Sequence, residues 1–444
     1  EDISHWGFAK QLQQLVEEQP AAYADSIQIL EEGKPQYADV VLNSFVDVLQ
    51  DDGQFPWPPI LAYCETVVDQ PGRWSSRCRT SIARLIGQGI QADQTDFPIQ
   101  YIERVEDLLI ALTSPVELDP DQEQPHSWIG GVGTTEPEVR QHGIRAIVSY
   151  LIWQDQNGRL ENDQLDAPLR QVIEAKISQD IATPVRTALG RHFRTFWAVD
   201  EELMRTHLDE LFPTDEGDET KELFAATWNG YTRRNPFLPS AYPYLRPYYH
   251  HALDLLAEDE SDEGWITAKS TASHVGLAYI FEDEPLDEED SLIARFYEMM
   301  SPDTTANLAQ ALASGLENED NELHLHWDSV RELWQWRLDQ VESRINGIED
   351  TADYHREFRY FLRCLQHTDA INLEDEQELV ERTAPFLVHQ APHIRILEEW
   401  LAELSTSYPA AAISVYHAIV KVVPDNDWHK VARSSKDEMR ETMY

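Results

Sequence analysis

The stretch SWIGGVGTTEPEVR, beginning at Ser127, is the first candidate for chemistry, because clustered glycines can bring backbone N–H groups close to a phosphate. A phosphate loop needs G-x-x-x-x-G-K-[ST] after a strand, with the lysine and the hydroxyl holding phosphate and magnesium. Gly130, Gly131 and Gly133 lack that spacing, and Thr134-Thr135 stand where Lys-Ser/Thr would be needed. The same residues describe a helix start instead. Thr135 with Glu138 three positions on is a capping box, and Pro137 sits in the first turn, where its missing N–H costs nothing. No nucleotide or other cofactor is expected on this chain.

Sixteen histidines raise the possibility of metal binding. His250-His251 and His324-x-His326 are the tightest groups, but residues i and i+2 on a helix point about 200° apart and cannot share an ion. His389 and His393 have i, i+4 spacing, yet Pro392 between them begins a new helix and breaks the common face. With no HExxH arrangement and no CxxC pair, no metal ligands are assigned. Cys64, Cys78 and Cys364 are odd in number and widely spaced, which excludes a disulfide framework. Cys64 and Cys78 lie in helical-looking runs, where cysteine acts as a small hydrophobe. No G-x-S-x-G elbow presents a serine, and carboxylate pairs are too common for any one to be singled out. No catalytic residue is assigned.

One block differs in character. WNGYTRRNPFLPSAYPYLRPYY, from Trp228 to Tyr249, concentrates tyrosine, proline and arginine. Tyrosine and arginine dominate interface hot spots, so Arg233, Arg234, Tyr244 and Arg246 are the candidate ligand contacts. The competing reading is a connection between helices, with tyrosines packed on prolines and arginine stems. Leu333, Trp334, Trp336 and Leu338 read as a core stripe with one flank exposed.

The elements that would position these residues sit in a very acidic chain. Its 81 Asp and Glu against 35 Lys and Arg give a net charge of −46, and only eight of the basic residues are lysines. The acids are spread along the whole length between apolar and aromatic residues, unlike a disordered acidic tail. Such a surface suits a salt-rich cytoplasm, where ions screen the self-repulsion. It argues against nucleic acid bound through a broad basic face. The cysteine usage fits a reducing interior. No apolar run approaches the ~18 residues of a membrane span, and nothing resembles a signal peptide.

Hydrophobic periodicity is helical nearly throughout. Val41, Phe45 and Leu49 fall at i, i+4 and i+8, and the runs 80–90, 105–112, 139–153 and 325–345 behave alike. Start and stop signals predict roughly twenty helices of about 10 to 20 residues and no hairpin strands. Three helix starts share a mark: Pro137-Glu-Val-Arg140, Pro184-Val-Arg186 and Pro392-His-Ile-Arg395. The first two arginines are 46 apart, within the 40–47 period of HEAT and armadillo helix pairs. The predicted fold is therefore all-α, a regular or irregular α-solenoid of antiparallel helix pairs. Acid-rich segments at 117–124, 258–264, 282–290 and 317–322 read as solvated connections. No flexible linker divides the chain, so residues 1–124 are expected to form N-terminal repeats continuous with an array over 125–444.

Three segments carry a family resemblance: HGIRAIVSYLIW (142–153); VRTALGRHFRTFWAVDEELMRTHLDELFP (185–213) leading into ATWNGYTRRNPFLPSAYPYLRPYYHHAL (226–253); and ASHVGLAYIF (272–281) with IARFYEMM (293–300) before RELWQWRLDQ (331–340). In this order they resemble the C-terminal helical-repeat region of large prokaryotic STAND-type NTPases, many implicated in antiphage defence. Related arrays stand behind sirtuin-like effector domains. The resemblance spans roughly residues 125–440 and implies a sensor or scaffold that binds a protein ligand, such as a phage protein. It also implies ATPase and effector domains upstream, so that this chain is a piece of a longer cytoplasmic protein. Two other classes stay open: an all-α hydrolase working through a carboxylate pair, and a housekeeping scaffold.

Overall fold

A computed structural model describes residues 5–32, 35–91, 99–116, 135–160, 164–234, 236–260, 264–282, 284–288, 290–317, 322–345, 353–365 and 376–387, together with 405, 409, 413 and 417. Among the described residues all regular structure is helical. The expected all-α solenoid of helix pairs is what the chain forms. It divides into two compact units, Glu1–Asn235 and Pro236–Tyr444.

The first unit contains α1 (His5–Glu18), α2 (Pro20–Asp25), α3 (Pro35–Gln50), α4 (Trp57–Val68), α5 (Ser76–Gln91), α6 (Ile102–Thr113), α7 (Glu136–Gln156), α8 (Ala167–Gln179) and α9 (Thr183–Arg191). Three short helices follow, α10 (Phe193–Val199), α11 (Glu201–Thr206) and α12 (Leu208–Leu211), and the unit closes with α13 (Asp218–Arg234). Alternate helices pack on one another. The series α1, α3, α5, α7, α9, α13 forms one layer and α2, α4, α6, α8, α12 the other. Within a layer the helices run parallel: along α5 and α7, Arg79 meets Glu136 and Gln91 meets Ser149. Between layers they run antiparallel, since Tyr150 meets Glu106 while Gly143 lies against Thr113.

The second unit contains α14 (Tyr242–Glu258), α15 (Ala268–Glu282), α16 (Leu292–Met299), α17 (Pro302–Leu316), α18 (Trp327–Arg344), α19 (His355–Cys364) and α20 (Gln377–Leu387). Its layers follow the same rule, with α15 on α17, α17 on α19, and α18 on α20.

The sequence marks explain these elements locally. The Thr135–Glu138 box caps α7, the Glu138 carboxylate accepting the Thr135 backbone N–H at 2.6 Å. Val41, Phe45 and Leu49 are all buried on one face of α3. Pro137 and Pro184 sit in the first turns of α7 and α9, and Val139 and Val185 after them are fully buried. The paired arginines then converge on one point. Arg140 donates to the Asp180 carboxylate at 2.7 Å, and Arg186 donates to the Asp180 carbonyl at 2.8 Å. Burial alone would raise the Asp180 carboxyl, but hydrogen bonds from Arg140 and Lys176 bring it below its ordinary value. The repeat mark is thus a device that joins α7, α8 and α9. The third mark, at 392–395, lies outside the described residues, as does the glycine run at 130–133. The helices on either side of residue 124 pack together inside the first unit, so the region of family resemblance begins within that unit.

The tightest approach in the first unit is α9 on α13. A Cβ built on Gly190 would overlap the carbonyl oxygen of Thr227, and one on Gly230 would overlap that of Thr187. Each glycine exists to admit the other helix's backbone. Gly190→Ala is therefore expected to destabilise the chain by about 1–3 kcal/mol, despite the better helix propensity of alanine. Urea unfolding at fixed salt measures it; an unchanged or raised midpoint would show that the helices separate at no cost.

Candidate functional site

A groove of about 820 Å³ lies in the first unit, running along the layer of α3, α5 and α7 to the start of α10. Each wall arises from a simple helical pattern. On α5, Cys78, Ile82, Leu85 and Ile86 are buried in the core. Arg77, Arg84, Gln88 and Gln91, on other faces of the same helix, turn into the groove. On α7, the residues His142, Arg145, Ser149 and Ile152, spaced at three and four, form the facing wall. Asn43, Val46 and Gln50 of α3 close one end, and His192 with Thr195 the other. The small residues Gly87 and Ala146 let α5 and α7 approach beneath: a Cβ on Gly87 would stand 3.4 Å from Ala146 Cα.

Among the described residues the lining carries three arginines and two histidines and no aspartate or glutamate. Charge partners stand beside the lining in Asp39 and in Asp47, whose carboxyl burial pushes up and Arg84 pulls back. Asp39 is buried, accepting Arg77 Nε at 2.7 Å and Ser81 Oγ at 2.9 Å. Burial pushes its carboxyl up, and Arg77 pulls it back. Arg84 donates to the Asn43 amide oxygen at 2.8 Å, and Gln91 donates to Ser149 Oγ at 2.9 Å. Two polar atoms of the lining, Thr80 Oγ1 and His192 Nε2, are buried without a hydrogen-bond partner among the described residues. Thr80 is itself only 8% exposed.

The histidines are tuned by this setting. Burial, then the charges of Arg145 and Arg84, push His142 down to about 4. Burial with Arg191 and Arg145 does the same to His192, also to about 4. Both rings are neutral near pH 7, so the arginines supply the groove's charge.

The contacts proposed from sequence fall elsewhere. Arg233 is exposed on α13, and Arg234 ends that helix with its side chain outside the described residues. Both belong to the first unit, whereas Tyr244 and Arg246 belong to the second. Tyr244 is 38% exposed on α14. Arg246 is engaged within the chain: Nε donates to Glu284 at 2.6 Å and Nη1 to Asp290 at 2.9 Å. Glu284 also accepts Tyr242 Oη at 2.6 Å. Most of the aromatic block is core, with Trp228 and Tyr231 fully buried in a cluster with Phe193, Phe212 and Phe224. Leu333, Trp334 and Leu338 are buried, and Trp336 donates its indole N–H to Asp287 at 2.8 Å on the open flank.

All three cysteines are buried, and burial pushes the Cys78 and Cys364 thiols up to about 12. His326 packs edge-on against Phe281, and His250 Nδ1 lies 3.1 Å from Arg295. The His324 side chain, His389 and His393 lie outside the described residues. Among the described residues no three His, Cys, Asp or Glu side chains gather as metal ligands would, and no helix is long and apolar enough to cross a membrane.

The signal that could have found the groove is acid-free sequence. Residues 70–92, 139–154 and 181–199 contain no Asp or Glu, and between them they supply α5, most of α7, and the α9–α10 corner. Other acid-free runs exist, including 223–253, and that one drew attention to the aromatic block. Comparison with protein-family models, curated proteins and solved structures produced no match.

The two histidines link stability to pH. Folded, each sits near 4 against an ordinary 6.5, so between these values the unfolded chain binds protons that the folded chain does not. Their contribution is intact above pH 6.5 and is lost as pH falls toward 4. The double variant His142→Gln/His192→Gln should lose less stability across that window than the wild type, measured as urea midpoints. Parallel curves for the two proteins would refute the depressed values.

Proposed function

We propose that this chain is a non-catalytic helical-repeat binding module of a larger cytoplasmic protein, and that its protein ligand docks in the groove along α3, α5 and α7. The observation that carries this reading is the lining itself. It presents arginine, carboxamide and hydroxyl groups from three stacked helices, and no Asp or Glu is among its described residues. Buried polar atoms are ordinarily hydrogen-bonded, so unpartnered Thr80 Oγ1 and His192 Nε2 beside an open groove suit a surface completed by a ligand. Stacked repeats hold such a surface rigid, because each helix is fixed by both neighbours in its layer.

The same lining weighs against the hydrolase alternative at this place, since paired-carboxylate chemistry needs two acids flanking the bond that is cleaved. The resemblance to STAND-type arrays extends the proposal: ligand docking would bias upstream ATPase or effector domains in a salt-rich cell, with a phage protein as the ligand. Arg233 and Tyr244 remain proposed secondary contacts.

The test is selection of peptides from a random displayed library on the whole chain. Selected binders are then measured against two groove variants, Gln88→Trp, which fills the channel, and Arg84→Glu/Arg145→Glu, which reverses its charge. Arg84 and Arg145 are exposed, so the second variant should fold, with circular dichroism as the check. Binding is expected to weaken at least about tenfold in both, a loss of about 1.4 kcal/mol. Selected peptides that bind both variants as well as the wild type would remove the groove from the function.

A further inference from the structure

Two Asn-Gly pairs lie among the described residues, at Asn157-Gly158 and Asn229-Gly230, and the fold treats them oppositely. We propose that Asn157 is a site of covalent modification by water: its side chain deamidates to aspartate and isoaspartate, and the product loosens the C-terminal turn of α7.

The reaction needs nothing beyond the chain and water. The main-chain nitrogen of Gly158 attacks Cγ of Asn157, so a C–N bond forms, the bond from Cγ to Nδ2 breaks, and ammonia leaves with the proton given up by the Gly158 nitrogen. Water then opens the resulting succinimide at either carbonyl, leaving aspartate or isoaspartate. Glycine favours the first step because no Cβ crowds the attacking nitrogen.

The structure decides which pair has access to this chemistry. Asn157 is the C-cap of α7, and Gly158 follows at φ +62°, the left-handed conformation that favours glycine. Both are exposed, and nothing lies within 4 Å of where a Cβ on Gly158 would stand. The turn is held by bonds within residues 153–159. Gly158 N–H donates to the Asp155 carbonyl at 2.9 Å, Arg159 N–H to the Gln154 carbonyl at 2.8 Å, and Asn157 Nδ2 to the Trp153 carbonyl at 2.8 Å. Ring closure requires Asn157 to leave its ψ of 8°, so the reaction waits on fraying, which helix ends undergo readily. Asn229 stands inside α13 instead. A Cβ on Gly230 would lie 2.4 Å from the Thr187 carbonyl oxygen, so α9 and α13 must part before that pair can react.

The product suits its place less well than asparagine does. Aspartate has no donor for the Trp153 carbonyl, and it puts a negative charge where the helix dipole is already negative. Isoaspartate lengthens the backbone by a methylene. The affected turn carries Trp153, which stacks on Tyr150, and Gln154, which donates to Asp166 at the start of α8 at 3.2 Å.

The experiment incubates the whole chain in mildly alkaline buffer, folded and in urea, and follows both peptides by tandem mass spectrometry with fragmentation that distinguishes isoaspartate. In the folded chain the Asn157 peptide should gain the mass of water less ammonia at least about tenfold faster than the Asn229 peptide, and in urea the two rates should converge. Equal rates in the folded chain, or an Asn157 peptide that stays intact while its urea control reacts, would overturn the proposal. A tenfold difference that persists in urea would overturn it too, because local sequence and not packing would then be the cause. Asn157→Asp supplies one product directly and is expected to lower the urea midpoint; an unchanged midpoint would remove the loosening of α7.

Discussion

The first unit depends on one buried ion pair. Arg79 of α5 is 1% exposed and places Nη1 2.5 Å from Glu136, the first residue of α7, which also accepts Ser76 Oγ at 2.6 Å. A carboxylate at a helix N-terminus is favoured by the helix dipole, and here an arginine from the neighbouring helix answers it as well. Removing one partner of such a pair strands the other charge in the core, which typically costs about 3–5 kcal/mol. The pair therefore acts more as a register pin than as a source of net stability. It fixes the start of α7 against the start of α5, and every later match along the two helices follows. Gly87 comes opposite Ala146, Gln91 opposite Ser149, and the two polar walls of the groove face each other.

The same solution recurs in the second unit with different residues. Glu357 on α19 is fully buried and accepts Arg337 Nε of α18 at 2.9 Å and Thr305 Oγ1 of α17 at 2.9 Å, which ties three helices together. The Arg337 guanidinium also lies 4.5 Å from the Tyr297 ring centre. Glu376 accepts from Trp327 and Arg331, and Glu284 from Tyr242 and Arg246. This use explains why the chain prefers arginine to lysine. A flat guanidinium can satisfy two acceptors at once and is less strongly hydrated, so it is the cheaper cation to bury. Among the described residues, many of the arginines are placed where they join helices.

Against that background the groove is unusual. Arg84 and Arg145 are exposed and line a channel with no acid among its described lining residues, although Arg84 acts on the carboxyls of Asp39 and Asp47. Nearby cations raise each other's cost, and part of that cost falls on His142 and His192, whose rings are held neutral. A surface that keeps like charges together and leaves buried polar atoms unpartnered is poorly satisfied by itself. That is the usual condition of a site that binds something.

Much of this was legible in the chain. Periodicity of 3.6 identified the helices, the Thr135–Glu138 box and the prolines marked where α7 and α9 begin, and spacing of 46 between Arg140 and Arg186 indicated paired helices. These signals are local, since caps, first-turn prolines and apolar stripes act within one or two turns. The absence of acids from 70–92, 139–154 and 181–199 was equally plain, but so was its absence from 223–253. Only packing decided which runs meet. The first three lie on successive members of one layer and share a wall, whereas the fourth buries its aromatic residues and ties Arg246 to Glu284. Whether an arginine serves the fold or a ligand depends on what stands opposite it, and in a stack of helices the opposing residue lies some forty to sixty positions away, as Glu136 does from Arg79. Sequence spacing carries no information about that distance until the helices are laid side by side.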